Sequence, residues 1–191
     1  MQGMKRLATG VLLAAWLPVA TAQTADVDAL KQEGRKIAKQ FLGTLKPELK
    51  KAMKAGGPVH AIDVCHRKAP EITAHLSQQT GWQLKRTSLK VRNPHNAPDA
   101  WEKQVLARFE QLKAKGADPK TLEYGAVVEE NGRKVFRYAK AIPTGKVCVV
   151  CHGEHVARPI MEKIRAYYPE DAATGFRPGD IRGMFSFKKP L

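Results

Sequence analysis

The segment Thr144–Val156, TGKVCVVCHGEHV, constrains the fold more than any other stretch of this chain. Cys148 and Cys151 lie three positions apart, and His152 follows at once. Residues three apart lie close together on one turn of helix, so two thiols and an imidazole must be presented side by side, and whatever they hold must be wrapped by the rest of the chain. The 191 residues contain 3 cysteines, so this segment takes two and leaves Cys65, in AIDVCHRKAP, without a partner.

The compartment decides how such thiols are read. Lys5 and Arg6 precede a mostly apolar run, Leu7 to Val19, and Ala20-Thr21-Ala22 offers a small-x-small cleavage site before Gln23. This is the pattern of a secretory signal over residues 1–22, and the run is shorter than the ~20 residues a membrane span needs. The expected mature chain, 23–191, is a single domain long enough for its own core, exported to an oxidising compartment such as a bacterial periplasm, with no stable membrane span after cleavage. The formal charge of +15 points to an acidic partner or simply to a well-solvated surface, and export argues against nucleic acid.

In an exported chain a two-cysteine motif can be a disulfide, a metal site or a covalent haem attachment. Cys-x-x-Cys-His favours haem c: each thiol can add to one vinyl group of the ring, and His152 is then turned toward the iron. A structural zinc site needs four ligands, usually from two such pairs, and only one pair is present. A thioredoxin-like motif would need an alternating strand–helix–strand context that this segment lacks. If thioethers consume Cys148 and Cys151, then Cys65, His66, His60, His155, Met161 and Met184 compete for the other axial position, with Cys65 and His66 about equal on composition. A lone cysteine is also often a small buried hydrophobe.

Apolar positions Val27, Leu30, Ile37, Phe41, Leu45, Leu49 and Met53 keep to one face and predict a helix over 25–55, with Pro47 as a kink or new start and Gly56-Gly57 as its end. A second helical segment, 60–80, carries Cys65 and has Pro70 near a further start. WQLKRTSLKV (82–91) alternates as a strand does. The next helix is expected to be capped by Asn96, with Pro98 and Asp99 in its first turn. EYGAVVEENGRKVFRYAKAI reads as a hairpin turning at Asn131-Gly132. A helix over Arg158–Tyr167 and a last strand in GDIRGMFSFKK follow. The sum is α+β: N-terminal helices, then an antiparallel sheet of about four or five strands with flanking helices.

Four segments occur in a telling order: VCHRKAP (64–70), RTSLKVRNPHNAPDAWE (86–102), CVVCHG (148–153) and YPEDAATGFRPGDIRGMFS (168–186). Together they resemble a family of c-type haem domains with a PAS-like fold, found as single exported proteins and as sensor modules of signalling proteins. Phe176 stands where the family carries another aromatic residue. The resemblance implies one covalently bound haem c, with thioethers at Cys148 and Cys151, His152 as proximal ligand and Cys65 as distal ligand.

Arg86, Arg92 and Asn93 are candidates for binding the haem propionates through charge-assisted bonds, or else buttress the turn from strand to helix. Asp180 and Arg182 are expected to pair before the last strand. An iron with two protein ligands has no open position, so an enzyme is not expected. Two functions fit: one-electron transfer with an acidic redox partner, or sensing of redox state or a diatomic gas, in which Cys65 leaves the iron and a signalling partner reads the change.

Overall fold

The computed structural model describes residues 19–191, with side chains from Asp26 onward. Most of the stretch expected to be an export signal lies outside the described residues. The chain begins with α1 (Val19–Thr80), followed by β1 (Gln83–Thr87), a 3₁₀ turn (Pro94–Asn96), α2 (Ala100–Ala114), β2 (Glu123–Glu130), β3 (Arg133–Pro143), the single turn α3 (Val149–His152), α4 (Arg158–Tyr167) and β4 (Ile181–Pro190).

α1 is two helical arms. Its break falls where the glycines predicted it: Gly57 takes φ 70°, a left-handed value that glycine adopts without a Cβ penalty. Pro47 and Pro70, expected as starts, lie inside the arms. An interior proline costs about 3 kcal/mol, and burial of one or two large side chains, worth roughly 1.5–3 kcal/mol each, offsets it. Phe41, Ile72 and Leu76 are such side chains, all buried. The backbone carbonyl that Pro47 leaves unpaired is that of Gly43, which is exposed to water.

The four strands form one antiparallel sheet in the order β1-β4-β3-β2. The β2–β3 hairpin turns at Asn131 (φ 52°) and Gly132 (φ 73°), the doubly left-handed pair that a two-residue hairpin turn requires. β1 stops at Thr87, short of the expected 91: Thr87 pairs with Met184, the last partner of β1 although β4 itself extends to Ile181, and an added Cβ at the neighbouring Gly183 would collide with the Thr87 carbonyl.

Side chains on a strand alternate between its two faces, and each face of this sheet is covered by helix. Phe136, Tyr138, Phe185 and Phe187 pack with Trp82 against Leu30, Ile37, Phe41, Ile72 and Leu76 of the two arms. Ala139, Ala141 and Met184 face the other way, onto Val105, Leu106 and Phe109 of α2. The N-cap of α2 is Asp99, not Asn96: its carboxylate accepts from the Glu102 backbone, and the Glu102 carboxylate accepts from the Asp99 N–H, a reciprocal capping box. The fold is the α+β, PAS-like architecture expected. α4 lies on the second arm of α1, where Ile160 and Ile164 meet Ile62, with Val150 and Cys151 packed beside them.

Candidate functional site

The segment Cys148–His152 makes one helical turn, with the Cys151 and His152 amides donating to the Cys148 carbonyl at 3.2 and 2.9 Å. The turn is tied to the loop ahead of β4. Phe176 N donates to His152 O at 3.0 Å, and Gly175 N to Gly153 O at 2.9 Å. An added Cβ at Gly153 would meet the Val149 carbonyl oxygen at 2.5 Å, so only glycine lets the chain leave the turn this closely.

The His152 ring is oriented by its inner nitrogen. Nδ1 lies 2.7 Å from the Ala173 carbonyl oxygen, which can only accept, so Nδ1 carries the proton and Nε2 keeps its lone pair. Arg182 Nε also approaches Nδ1, at 3.1 Å. One ring nitrogen cannot donate to the carbonyl and accept from the guanidinium, so Arg182 is a packed charge here rather than a donor. Burial first, then Arg182 and Arg92, hold the imidazole pKa well below its ordinary value of 6.5. A neutral ring with a free Nε2 is the form that binds a metal.

A buried ion pair holds this arrangement in place. Arg92 donates from Nε to Asp171 Oδ1 at 3.0 Å and from Nη2 to Oδ2 at 3.2 Å, and the same Nη2 donates to the Cys151 carbonyl at 2.6 Å. Asp171, 1% exposed, accepts in turn from Ala173 N at 3.0 Å. The path closes on itself: Cys151 to Arg92, to Asp171, to Ala173, to His152. Asp171 and Ala173 went unnoticed in the sequence. The only hint was an aspartate two residues before a small residue, the spacing of an Asx turn.

Cys65 comes from the second arm of α1 and lines the same cavity as Cys148, Cys151 and His152. Burial pushes its thiol upward while Arg86 and Arg92 pull it down; burial likewise raises Cys151, against Arg92. All three cysteines are unpaired. His66 lines the cavity too, but its ring stacks on Tyr167 (centroids 4.1 Å apart, planes at 7°) and its Nδ1 lies 2.8 Å from the Tyr168 hydroxyl. Asp63 completes that cluster, accepting from the Tyr167 hydroxyl and from Lys163 at 2.8 Å. Of the other residues that competed for the axial position, His60 and His155 are exposed, Met184 is fully buried under α2, and Met161 is not part of the cavity wall.

The cavity has a volume of about 1560 Å³ and lies between the arms of α1, the edge of the sheet and the α3 turn. Arg86, Arg92 and Asn93 all line it. The Arg86 guanidinium lies 4.9 Å above the Phe41 ring, and Asn93 Oδ1 accepts from His95 N, capping the 3₁₀ turn. Asp180 and Arg182 do not pair. Asp180 binds Lys113 at 2.6 Å and the Arg177 amide at 2.7 Å, whereas Arg182 faces His152 and the Phe176 ring. Among the described residues no three His, Cys, Asp or Glu side chains converge as a closed metal site would require. The donor set fits a planar cofactor that brings its own equatorial ligands: two thiols on one turn, one oriented imidazole, one more thiol, and a large, mainly apolar chamber between them. Cys148 and Cys151 could anchor such a group, and His152 and Cys65 could ligate its metal.

The Tll0287-like family model (Tll0287) matches residues 19–190. A solved structure, "Crystal structure of the cyanobacterial heme-protein Tll0287", superposes with a TM-score of 0.61 at 24% sequence identity, covering 92% of this chain and 98% of that one. A search of curated proteins finds no significant match.

Proposed function

The chain belongs to the Tll0287-like family, and from that premise we propose that it is a haem-binding protein that carries one haem c and passes single electrons in a bacterial periplasm. The observation that carries this reading is the meeting of Cys148, Cys151, His152 and Cys65 on one cavity, from segments more than eighty positions apart in the chain. The solved structure of a cyanobacterial haem protein with this fold supports it.

Bound haem supplies a one-electron iron couple whose potential the axial ligands set. The chain's own residues do the rest. Cys148 and Cys151 fix the group covalently, and His152 offers Nε2 while Ala173 holds its Nδ1 proton. Cys65 would supply a second ligand, and thiolate donation from it would favour the oxidised state. With His152 and Cys65 both ligating, no position would be left for a substrate, so the proposal contains no catalysed reaction. Exposed Lys36, Lys39, Lys46, Lys50, Lys51 and Lys54 on the first arm of α1 suit an acidic partner protein and a salt-sensitive encounter. No helix of the described residues is long and apolar enough to cross a membrane.

A second reading, sensing, is favoured by one feature. Cys65 sits on an arm set off from the rest of α1 by the Gly56-Gly57 break and joined to α4 through Asp63 and His66, so loss of the Cys65 bond would act on an element distinct from the first arm and coupled to α4. One experiment tests both: the exported protein is weighed, then titrated redox-spectroscopically with carbon monoxide added at the reduced end. An electron carrier shows the mass of the processed chain plus one haem and does not respond to the gas. Gas binding with loss of the thiolate signature selects the sensor. A colourless protein with the bare-chain mass refutes both.

A further inference from the structure

The cavity wall holds more positive charge than the chain balances. Arg86, Arg92 and Arg182 line it together. Arg92 is matched by Asp171. Arg182 meets the His152 ring, the Phe176 ring and, at 3.3 Å, the Lys90 carbonyl, and Arg86 meets the face of Phe41; neither has a carboxylate within ion-pair distance among the described residues. Glu102, the buried acid on another part of the wall, is taken by Lys85 at 2.8 Å and faces Arg137 at 3.7 Å. Both side chains are partly buried. Cations withdrawn from water without a counter-charge are costly. Two of them facing one chamber make a site for a ligand that brings two negative charges.

Resting on the haem reading above, we propose that Arg86 and Arg182 receive the two carboxylates of the tetrapyrrole, while Arg92 stays with Asp171 and positions the Cys148–His152 turn. Arg182 then has two neighbours of different kind, the axial imidazole on one side and a ligand carboxylate on the other.

The test uses the full chain made in a reducing cytoplasm, where no thioether forms, titrated with protoporphyrin IX and with its dimethyl ester and followed by porphyrin fluorescence. The free acid is expected to bind about tenfold more tightly than the ester, or better, as lost charge-assisted bonds imply. Arg86→Gln and Arg182→Gln should each weaken binding of the acid by a similar factor and leave the ester unchanged. Arg108→Gln, whose guanidinium lies over Tyr124 outside the cavity, should change neither. Melting curves guard against misfolding: porphyrin-free Arg86→Met should melt no lower than wild type, since an unmatched cation has been removed, and a lower melting temperature overturns the premise. Equal affinity for acid and ester overturns the assignment and leaves the haem reading standing. Wild type that binds neither porphyrin also overturns it, and if the exported chain lacks haem as well, the haem reading falls too.

Discussion

Asp171→Asn isolates the ion pair behind the motif. The substitution keeps the side chain's shape and its bond from Ala173 N, and removes the charge that faces Arg92 at 3.0 and 3.2 Å. Removing one partner of a buried pair costs about 3–5 kcal/mol. Arg92 keeps 15% exposure, so some water reaches it and the lower end applies, about 3 kcal/mol. For a domain of this size 1 kcal/mol moves the midpoint by roughly 2–4 °C, so Tm should fall by about 6–12 °C. The assay is a circular-dichroism melt at neutral pH, with Asp180→Asn alongside. Asp180 also carries an ion pair, to Lys113, but both members are about a third exposed (31% and 33%), and such pairs are worth at most about 1 kcal/mol. If Asp171→Asn melts no lower than Asp180→Asn, the closed path from Cys151 to His152 is not what holds the turn.

If Cys65 ligates the iron as proposed, Cys65→Ser should change the spectrum of the oxidised, haem-loaded protein and raise its potential; an unchanged spectrum removes Cys65 from the iron. Glu123 is held below the usual carboxylate range chiefly by the Arg35 hydrogen bond, against burial. Its folded pKa is therefore below its unfolded one, so its stabilisation is full above about pH 4.3 and fades as pH falls from there. Acid melts of Glu123→Gln should show a lower Tm at pH 7 and a shallower decline below pH 4.3; parallel curves would contradict this. Gly34→Ala would drive a methyl to 2.5–2.9 Å from the Tyr138 ring, and such overpacking should cost about 1–3 kcal/mol in a urea titration.

The sequence made the elements with strong local signals readable: the arms of α1 from their apolar face, the break from Gly56-Gly57, the hairpin from Asn131-Gly132. It misled where two residues offered the same local chemistry. Asn96 and Asp99 are both good caps, and Asp99 won because Glu102 stands three residues on and reciprocates. Pro47 and Pro70 read as a kink or as new starts because what offsets them, burial against a distant sheet, has no local trace. Near the site the motif itself was plain, but its support was not. Asp171 and Ala173 meet Arg92 and His152 only after the chain has folded back across some eighty and twenty positions respectively, and Asp180 and Arg182, two apart in sequence, turn to different neighbours.

The strand order has a consequence for biogenesis. β4, the last strand in the chain, is an inner strand, and β1 pairs with nothing else in the sheet. A chain made from its N-terminal end presents the Cys148–His152 segment before it presents β4, the strand that joins β1 to the β2–β3 hairpin. Until then β1 and the hairpin have no common partner, and the clamp on His152, which needs Asp171 and Ala173, is still open. β4 then joins the two parts of the sheet, so topology sets the order in which the motif and its support come together.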